Sequence, residues 1–225
     1  MKEKKYTRSR KALLIIDAQY DFMPATEEDY KNGQGGALAV PNGDQIVPVI
    51  NELLPQFDLI IFTKDWHPTG MKAFASSYKT KKPFDTYKVN GKEDTLWPDH
   101  CIAESYGAMI HEGIDLSLIK DEAEFYIFKK GLEKDKHPYS GFDGTGLGFF
   151  LREKNIETVF ICGLATDYCC KDTAIDANNE GFETFFIMNA TKPINPDITK
   201  TIKELHLHGV KMIDSWQLPL TFLTQ

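Results

Sequence analysis

Clustered positive charge is scarce in this chain. Beyond the first eleven residues, MKEKKYTRSRK, no basic block interrupts a formal net charge of −7. That argues against nucleic acid as a partner, because a phosphate backbone is held by grouped cations. Long apolar runs are missing too. The basic N-terminus has the look of a signal-peptide n-region, yet the run behind it, ALLII, stops at Asp17. It is too short for a signal core or a membrane span. Residues 1–10 are therefore expected to form a flexible, solvated tail, with no membrane partner. Cysteine is sparse: of four, two are adjacent and one lies in a buried-looking strand, which makes no disulfide framework. A reducing cytoplasm is the expected compartment. Internal repeats and low-complexity stretches are absent. No heptad or self-complementary segment fixes an oligomeric state, so a homo-oligomer stays open.

What is present suits one α/β domain over residues 11–225, since 225 residues with 42% hydrophobic content can bury a full core. Short apolar runs alternate with amphipathic ones, the pattern of βαβ units. Strands are expected at 12–16, 59–63, 124–128, 158–162, 183–188 and 210–213. Helices are expected at 45–54, 146–154, 167–180 and 196–208. The predicted fold has three layers: a mostly parallel sheet of about six strands with helices on both faces. Ligands of such folds gather at the carboxyl ends of the strands, where Asp17, Asp65, Lys130 and Cys169 all fall. One long irregular region, 66–101, is rich in Pro, Lys, Ser and Thr, and loops of that length are usually functional.

The segment TVFICGLATDYCC reads as a buried strand turning sharply into a helix, with Cys169 near the first helical turn. Unpaired N–H groups and the macrodipole there favour a thiolate, and neighbouring amides can hold an oxyanion. A nucleophile and its electrophilic partner in one stretch point to an enzyme that forms a thioester. Asp17 and Lys130 supply what attack on a carboxamide also needs: a base that becomes an acid, and a cation to tune it. Taken singly, each residue also fits a plain role: a turn cap, a solvated lysine, a small buried helix residue. Lys129 and Lys130 point to opposite sides of an extended strand, so only one faces the site. A second constellation joins Asp65 and His67, two apart on an extended segment, to His100 across the long loop. A carboxylate with two imidazoles suits a first-row divalent ion, and it equally suits a hydrogen-bonded loop. His111, His137, His206 and His208 lack comparable neighbours and are expected in solvated or helix-terminal roles.

Five stretches, ALLIIDAQYDFMP, GGALAVPNGDQIVPVIN, FTKDWHP, LWPDHC and GLATDYCC, together resemble the nicotinamidase branch of the isochorismatase-like cysteine hydrolases. The first and last are shared with relatives that cleave other amides and ureides. DWHP paired with LWPDHC is the narrower mark. The resemblance implies that Asp17 is the general base, Lys130 its partner and Cys169 the nucleophile, with Cys170 incidental. It implies a cis peptide at Leu164–Ala165 that lets the Ala165 and Cys169 amides converge on the oxyanion. Asp65, His67 and His100 match metal ligands for one divalent ion, with zinc first and manganese or iron compatible. Phe22, Trp97 and Tyr139 would line a pocket around a flat ring, with Gln19 as a secondary substrate-binding candidate. Many relatives carry a histidine where this chain has Met71, and a thioether is a poor ligand for such an ion. Three protein ligands are therefore expected, with water filling the remaining positions and Ser76 or Ser77 assisting through a water. The implied reaction is hydrolysis of nicotinamide, and of pyrazinamide, to the acid and ammonia, which would feed nicotinate to NAD synthesis. Two alternatives keep the same residues: an amidase for carbamoyl or ureido substrates, which needs no metal residues, and a catalytically silent metal- or nicotinamide-binding module. Isochorismate-cleaving relatives lack the nucleophilic cysteine, so Cys169 speaks against that activity.

Overall fold

The computed structural model describes residues 10–89 and 92–218. Residues 1–9 of the expected tail lie outside that range, and Arg10 already belongs to the first strand. In chain order the strands are β1 (Arg10–Ile16), β2 (Leu59–Asp65), β3 (Thr86–Val89), β4 (Lys92–Thr95), β5 (Glu124–Lys130), β6 (Ile156–Leu164), β7 (Glu183–Lys192) and β8 (Lys211–Ile213). The helices are α1 (Glu27–Lys31), α2 (Ile46–Leu53), α3 (Leu147–Glu153), α4 (Lys171–Asn179) and α5 (Thr199–Leu207).

Six strands form one sheet in the order β5-β2-β1-β6-β7-β8, and every neighbouring pair is parallel. The central strands are buried on both sides, which is why they read as unbroken apolar runs. Successive residues feed opposite cores. Leu13, Ile15, Ile60 and Phe62 join one cluster with α2 residues Ile46, Ile50 and Leu53. Ala12, Leu14, Ile16, Leu59 and Ile61 join the other with Leu147 and Leu151 of α3, Ala174 and Ala177 of α4, and Leu205 of α5. The period-2 alternation of a strand thus divides one apolar run between two layers of helix.

Several elements differ from the expected bounds for local reasons. β2 and β5 run on to Asp65 and Lys130, which stand opposite each other in the ladder. The helix expected from residue 167 opens instead as a π turn over Thr166–Cys170, where the Cys170 N–H bonds the Ala165 carbonyl five residues back at 3.1 Å. α5 starts late because the Asn195 and Asp197 side chains take the N–H groups of Asp197 and Thr199, holding that stretch in turns. The long loop contains an antiparallel hairpin, β3 with β4. Among the described residues no helix is long and apolar enough to cross a membrane.

Strand order reverses between β1 and β6, because the chain leaves β1 for β2 on one side and returns to β6 on the other. A crevice opens at the carboxyl ends around such a switch point. The side chains of chemical interest lie there.

Candidate active site

Lys130 sits at the centre of the crevice, fully enclosed at the end of β5. Its Nζ lies 2.6 Å from Asp65 Oδ1, 2.9 Å from Asp17 Oδ2 and 3.4 Å from Cys169 Sγ. Lys129, next to it, is exposed and places its ammonium 3.8 Å from the centre of the Trp66 ring, as strand alternation requires. Asp17 follows β1 in the left-handed region, φ 45°, an uncommon state for a side chain other than glycine. Thr63 of β2 holds it there: the Thr63 hydroxyl donates to Asp17 Oδ1 at 2.6 Å and accepts the Asp17 N–H at 3.1 Å. Asp17 Oδ2 accepts no hydrogen bond, although Lys130 faces it as an ion pair. Carboxylate oxygens of Asp17 and Asp65 and the Cys169 sulfur all lie within 4.8 Å of one another.

The electrostatics follow from burial. Desolvation, helped by the nearby Asp65, raises the Asp17 pKa above its ordinary value, with Lys130 opposing. Desolvation also works against ionised Asp65, but Lys130, His67 and His100 outweigh it and hold Asp65 well below the carboxylate range. Lys130 is held well above its ordinary value, because Asp17, Asp65 and Cys169 together exceed the cost of burial. Cys169 goes the other way. Burial, together with the two carboxylates, drives its pKa well above that of a free thiol despite Lys130. This direction favours the thiol over the expected helix-terminus thiolate. The sulfur lies within the π turn, enclosed beside two carboxylates.

Asp65 faces a second cluster with its other oxygen. His67 and His100 are both buried, and each turns Nδ1 to a backbone carbonyl: Gly131 O at 3.0 Å and Pro98 O at 2.8 Å. A carbonyl can only accept, so each Nδ1 donates there and each Nε2 is left to face Asp65. These Nε2 atoms lie 3.4 and 3.9 Å from Asp65 Oδ2, and His67 Nε2 has no hydrogen-bond partner. Burial and the neighbouring His67 lower the His100 pKa to about 3, so His100 is neutral. An unpartnered Nε2 on His67 and a neutral His100, both turned to one carboxylate oxygen, form a donor set that fits a first-row divalent ion. Gly131 is part of this design. Its φ is +69°, and a Cβ there would stand 2.2 Å from His67 Cε1.

A cavity joins the two clusters, with Asp65, His100, Ala165 and Cys169 among its lining. Phe22, Trp97, Tyr139, Tyr168, Leu38 and Ile194 wall it. The Tyr139 hydroxyl accepts from Trp97 Nε1 at 3.1 Å and donates to Asp94 Oδ1 at 3.0 Å, so the hairpin braces the aromatic wall. The Leu164–Ala165 peptide is cis, at the place the sequence marks. Cys170 turns away from the cavity, its Sγ 3.8 Å from the Cys162 carbonyl.

Gln19 stands apart from the cavity lining. Its amide donates to the Asp65 and Ala108 carbonyls at 2.8 and 2.9 Å and accepts the Asp65 N–H at 2.8 Å, so it fixes the backbone that carries Asp65. The Ser76 hydroxyl is committed to Asp99 and that of Ser77 to the Met71 carbonyl, and the Met71 side chain is enclosed in the apolar core. Three residues were missed from sequence. Asp21 accepts the Cys101 N–H at 2.7 Å and so steadies the turn that carries His100. Asp167 accepts the N–H groups of Ile194 and Asn195, each at 2.9 Å, drawing Ile194 into the wall. His137, expected in a solvated role, lines the cavity beside His67 and His100. No pattern in the sequence marked it, because the segment belongs to a loop with no period of its own.

Comparison with known proteins agrees with this layout. The chain matches the isochorismatase domain over residues 11–216. It is 37% identical over 212 residues to a nicotinamidase of Acinetobacter baylyi, covering 91% of this chain and 92% of that protein. Among solved structures, a nicotinamidase and pyrazinamidase of Acinetobacter baumanii superposes with a TM-score of 0.83 at 33% identity, covering 94% of this chain and 99% of the other. The pyrazinamidase of Pyrococcus horikoshii, solved in complex with zinc, superposes with a TM-score of 0.72 at 35% identity, covering 91% and 99%. A six-stranded parallel sheet, a crevice at its switch point and a domain match across residues 11–216 lead to one conclusion: this chain belongs to the isochorismatase family.

Proposed function

We infer that the chain is a nicotinamidase, which hydrolyses nicotinamide to nicotinate and ammonia through a thioester on Cys169 and also takes pyrazinamide. One observation carries the reading. A single enclosed ammonium, Lys130, touches both the carboxylate and the thiol that amide hydrolysis requires, and that thiol, Cys169, lines a cavity walled by aromatic rings.

In this mechanism Asp17 takes the thiol proton on Oδ2, the oxygen without a hydrogen bond, as the sulfur attacks the carboxamide carbon. The raised Asp17 pKa suits a group that must hold that proton and then give it back. The Ala165 and Cys169 N–H groups receive the oxyanion, and the loss of one such donor typically costs about 3 kcal/mol. Protonated Asp17 delivers its proton to the amide nitrogen, the C–N bond breaks and ammonia leaves. Asp17 then deprotonates a water that attacks the thioester carbon. The acid departs and the proton returns to sulfur. Lys130 fixes Asp17 throughout and offsets the charge that builds up beside it. Phe22, Trp97 and Tyr139 pack on the ring and exclude bulk water. Asp65, His67 and His100 would hold a divalent ion, with zinc favoured by the zinc-bound relative. When bound it supplies a Lewis acid for the ring nitrogen of the substrate. We also take residues 11–225 as one domain, free of nucleic acid and membrane, with a homo-oligomer left open. Four free, buried cysteines support a reducing cytoplasm as its compartment.

The test is ammonia release from nicotinamide, pyrazinamide and an N-carbamoyl amine, each with and without added zinc. Nicotinamide and pyrazinamide should turn over and the carbamoyl compound should not. Preference for the carbamoyl compound would sink the substrate assignment and leave the thiol chemistry standing.

A further inference from the structure

His137 is the one imidazole near the crevice that the mechanism above leaves unused. It lies in the loop after β5, on the same stretch as Tyr139, and a ring nitrogen of each of His67, His100 and His137 lies within 4.8 Å of the other two. The rings of His67 and His137 are 5.4 Å apart, those of His100 and His137 6.3 Å. The Nδ1 of His137 is buried and has no hydrogen-bond partner, as is the fully enclosed Nε2 of His67. Leaving a buried polar atom unpaired costs about 1–3 kcal/mol, and here two such atoms belong to one small cluster. Nearby groups cannot satisfy them. The carboxylate facing the cluster, Asp65, is itself an acceptor, and the one close ammonium, Lys130, is already taken up by Asp17, Asp65 and Cys169. Met71 offers nothing, because its side chain is packed among apolar residues.

We propose that His137 is a fourth protein ligand of the divalent ion held by Asp65, His67 and His100, so that the site is one carboxylate with three imidazoles. This rests on the reading that those three residues bind a metal, and it replaces the expected three-ligand site completed by water alone. It also ties the ion to the wall of the substrate cavity, since His137 and Tyr139 share one loop segment and both line that cavity.

Zinc and cobalt(II) titrations of the full chain, by competition with a chromophoric chelator, separate the possibilities without reference to catalysis. His137→Ala should weaken zinc binding on the order of 10- to 100-fold, the range known for losing support around a metal. His137→Cys should restore affinity and give a thiolate-to-cobalt charge-transfer band absent from the wild type. The band keeps the proposal testable should the alanine variant fold poorly. Wild-type affinity and an unchanged cobalt spectrum in His137→Ala, together with lost binding in His100→Ala, would overturn the role of His137 and leave the metal site intact. Failure of the wild type to bind either ion would overturn both.

Discussion

Two clusters share Asp65, and they solve burial in opposite ways. On one side Asp17, Lys130 and Cys169 form a closed set in which a single ammonium answers two carboxylates and a thiol. On the other, His67 and His100 turn Nε2 toward the second oxygen of Asp65, and His137 gathers with them. The first set is complete in the protein alone. The second leaves buried ring nitrogens of His67 and His137 without partners. Under the proposed function, the contrast separates a part that performs covalent chemistry from a part that holds and orients.

The largest expected effect breaks the first set at its nucleophile. Cys169→Ala should lower ammonia release by about 10⁴-fold or more, whereas Cys170→Ala should leave most of it, because only Cys169 faces the cavity. Comparable losses from both would mean that the sulfur has been misassigned. Next comes the cation that closes the set. Lys130→Met leaves Asp17 and Asp65 enclosed and unpaired, and denaturant unfolding should show a loss of about 3–5 kcal/mol. A loss under about 1 kcal/mol would show that the carboxylates do not depend on it.

The remaining two changes act on the histidine side. Chelation should lower the thermal midpoint of the protein, since an ion at a hundred times its dissociation constant adds about 2.7 kcal/mol to folding. An unchanged midpoint would argue against a bound ion. The smallest effect concerns pH in the metal-free protein. The folded pKa of His100, about 3, lies below the ordinary 6.5, so the unfolded chain binds more protons between those values. Stability from this source is complete above pH 6.5 and drains away as pH falls toward 3, by at most about 1.4 kcal/mol per pH unit. Asp17, whose pKa is raised, works in the opposite direction at the acid end. The difference between wild type and His100→Gln isolates the histidine: the variant should show the flatter acid slope, and parallel slopes would contradict a buried neutral imidazole.

The frame was legible because central parallel strands must be apolar on both faces, and runs such as ALLII and LIIF have no other reading at that length. Asp17, Asp65, Lys130 and Cys169 could be found from where those runs stop. The hairpin was not, since KEDT carries no apolar residue and TYKV, whose Tyr87 packs on the core, is too short for its alternation to be read. His137 escaped because a loop has no period from which to read a direction. The state of the sulfur escaped for a different reason. Helix-terminus arguments count the dipole and omit desolvation, and at an enclosed position beside two carboxylates desolvation wins.

The most direct test of the account is rapid acid quench of the enzyme during turnover of nicotinamide, followed by peptide mass analysis. A nicotinoyl group should appear on Cys169, and it should vanish in Cys169→Ala. Ammonia release at full rate with no acyl adduct on any cysteine, or an adduct carried by Cys170, would contradict it.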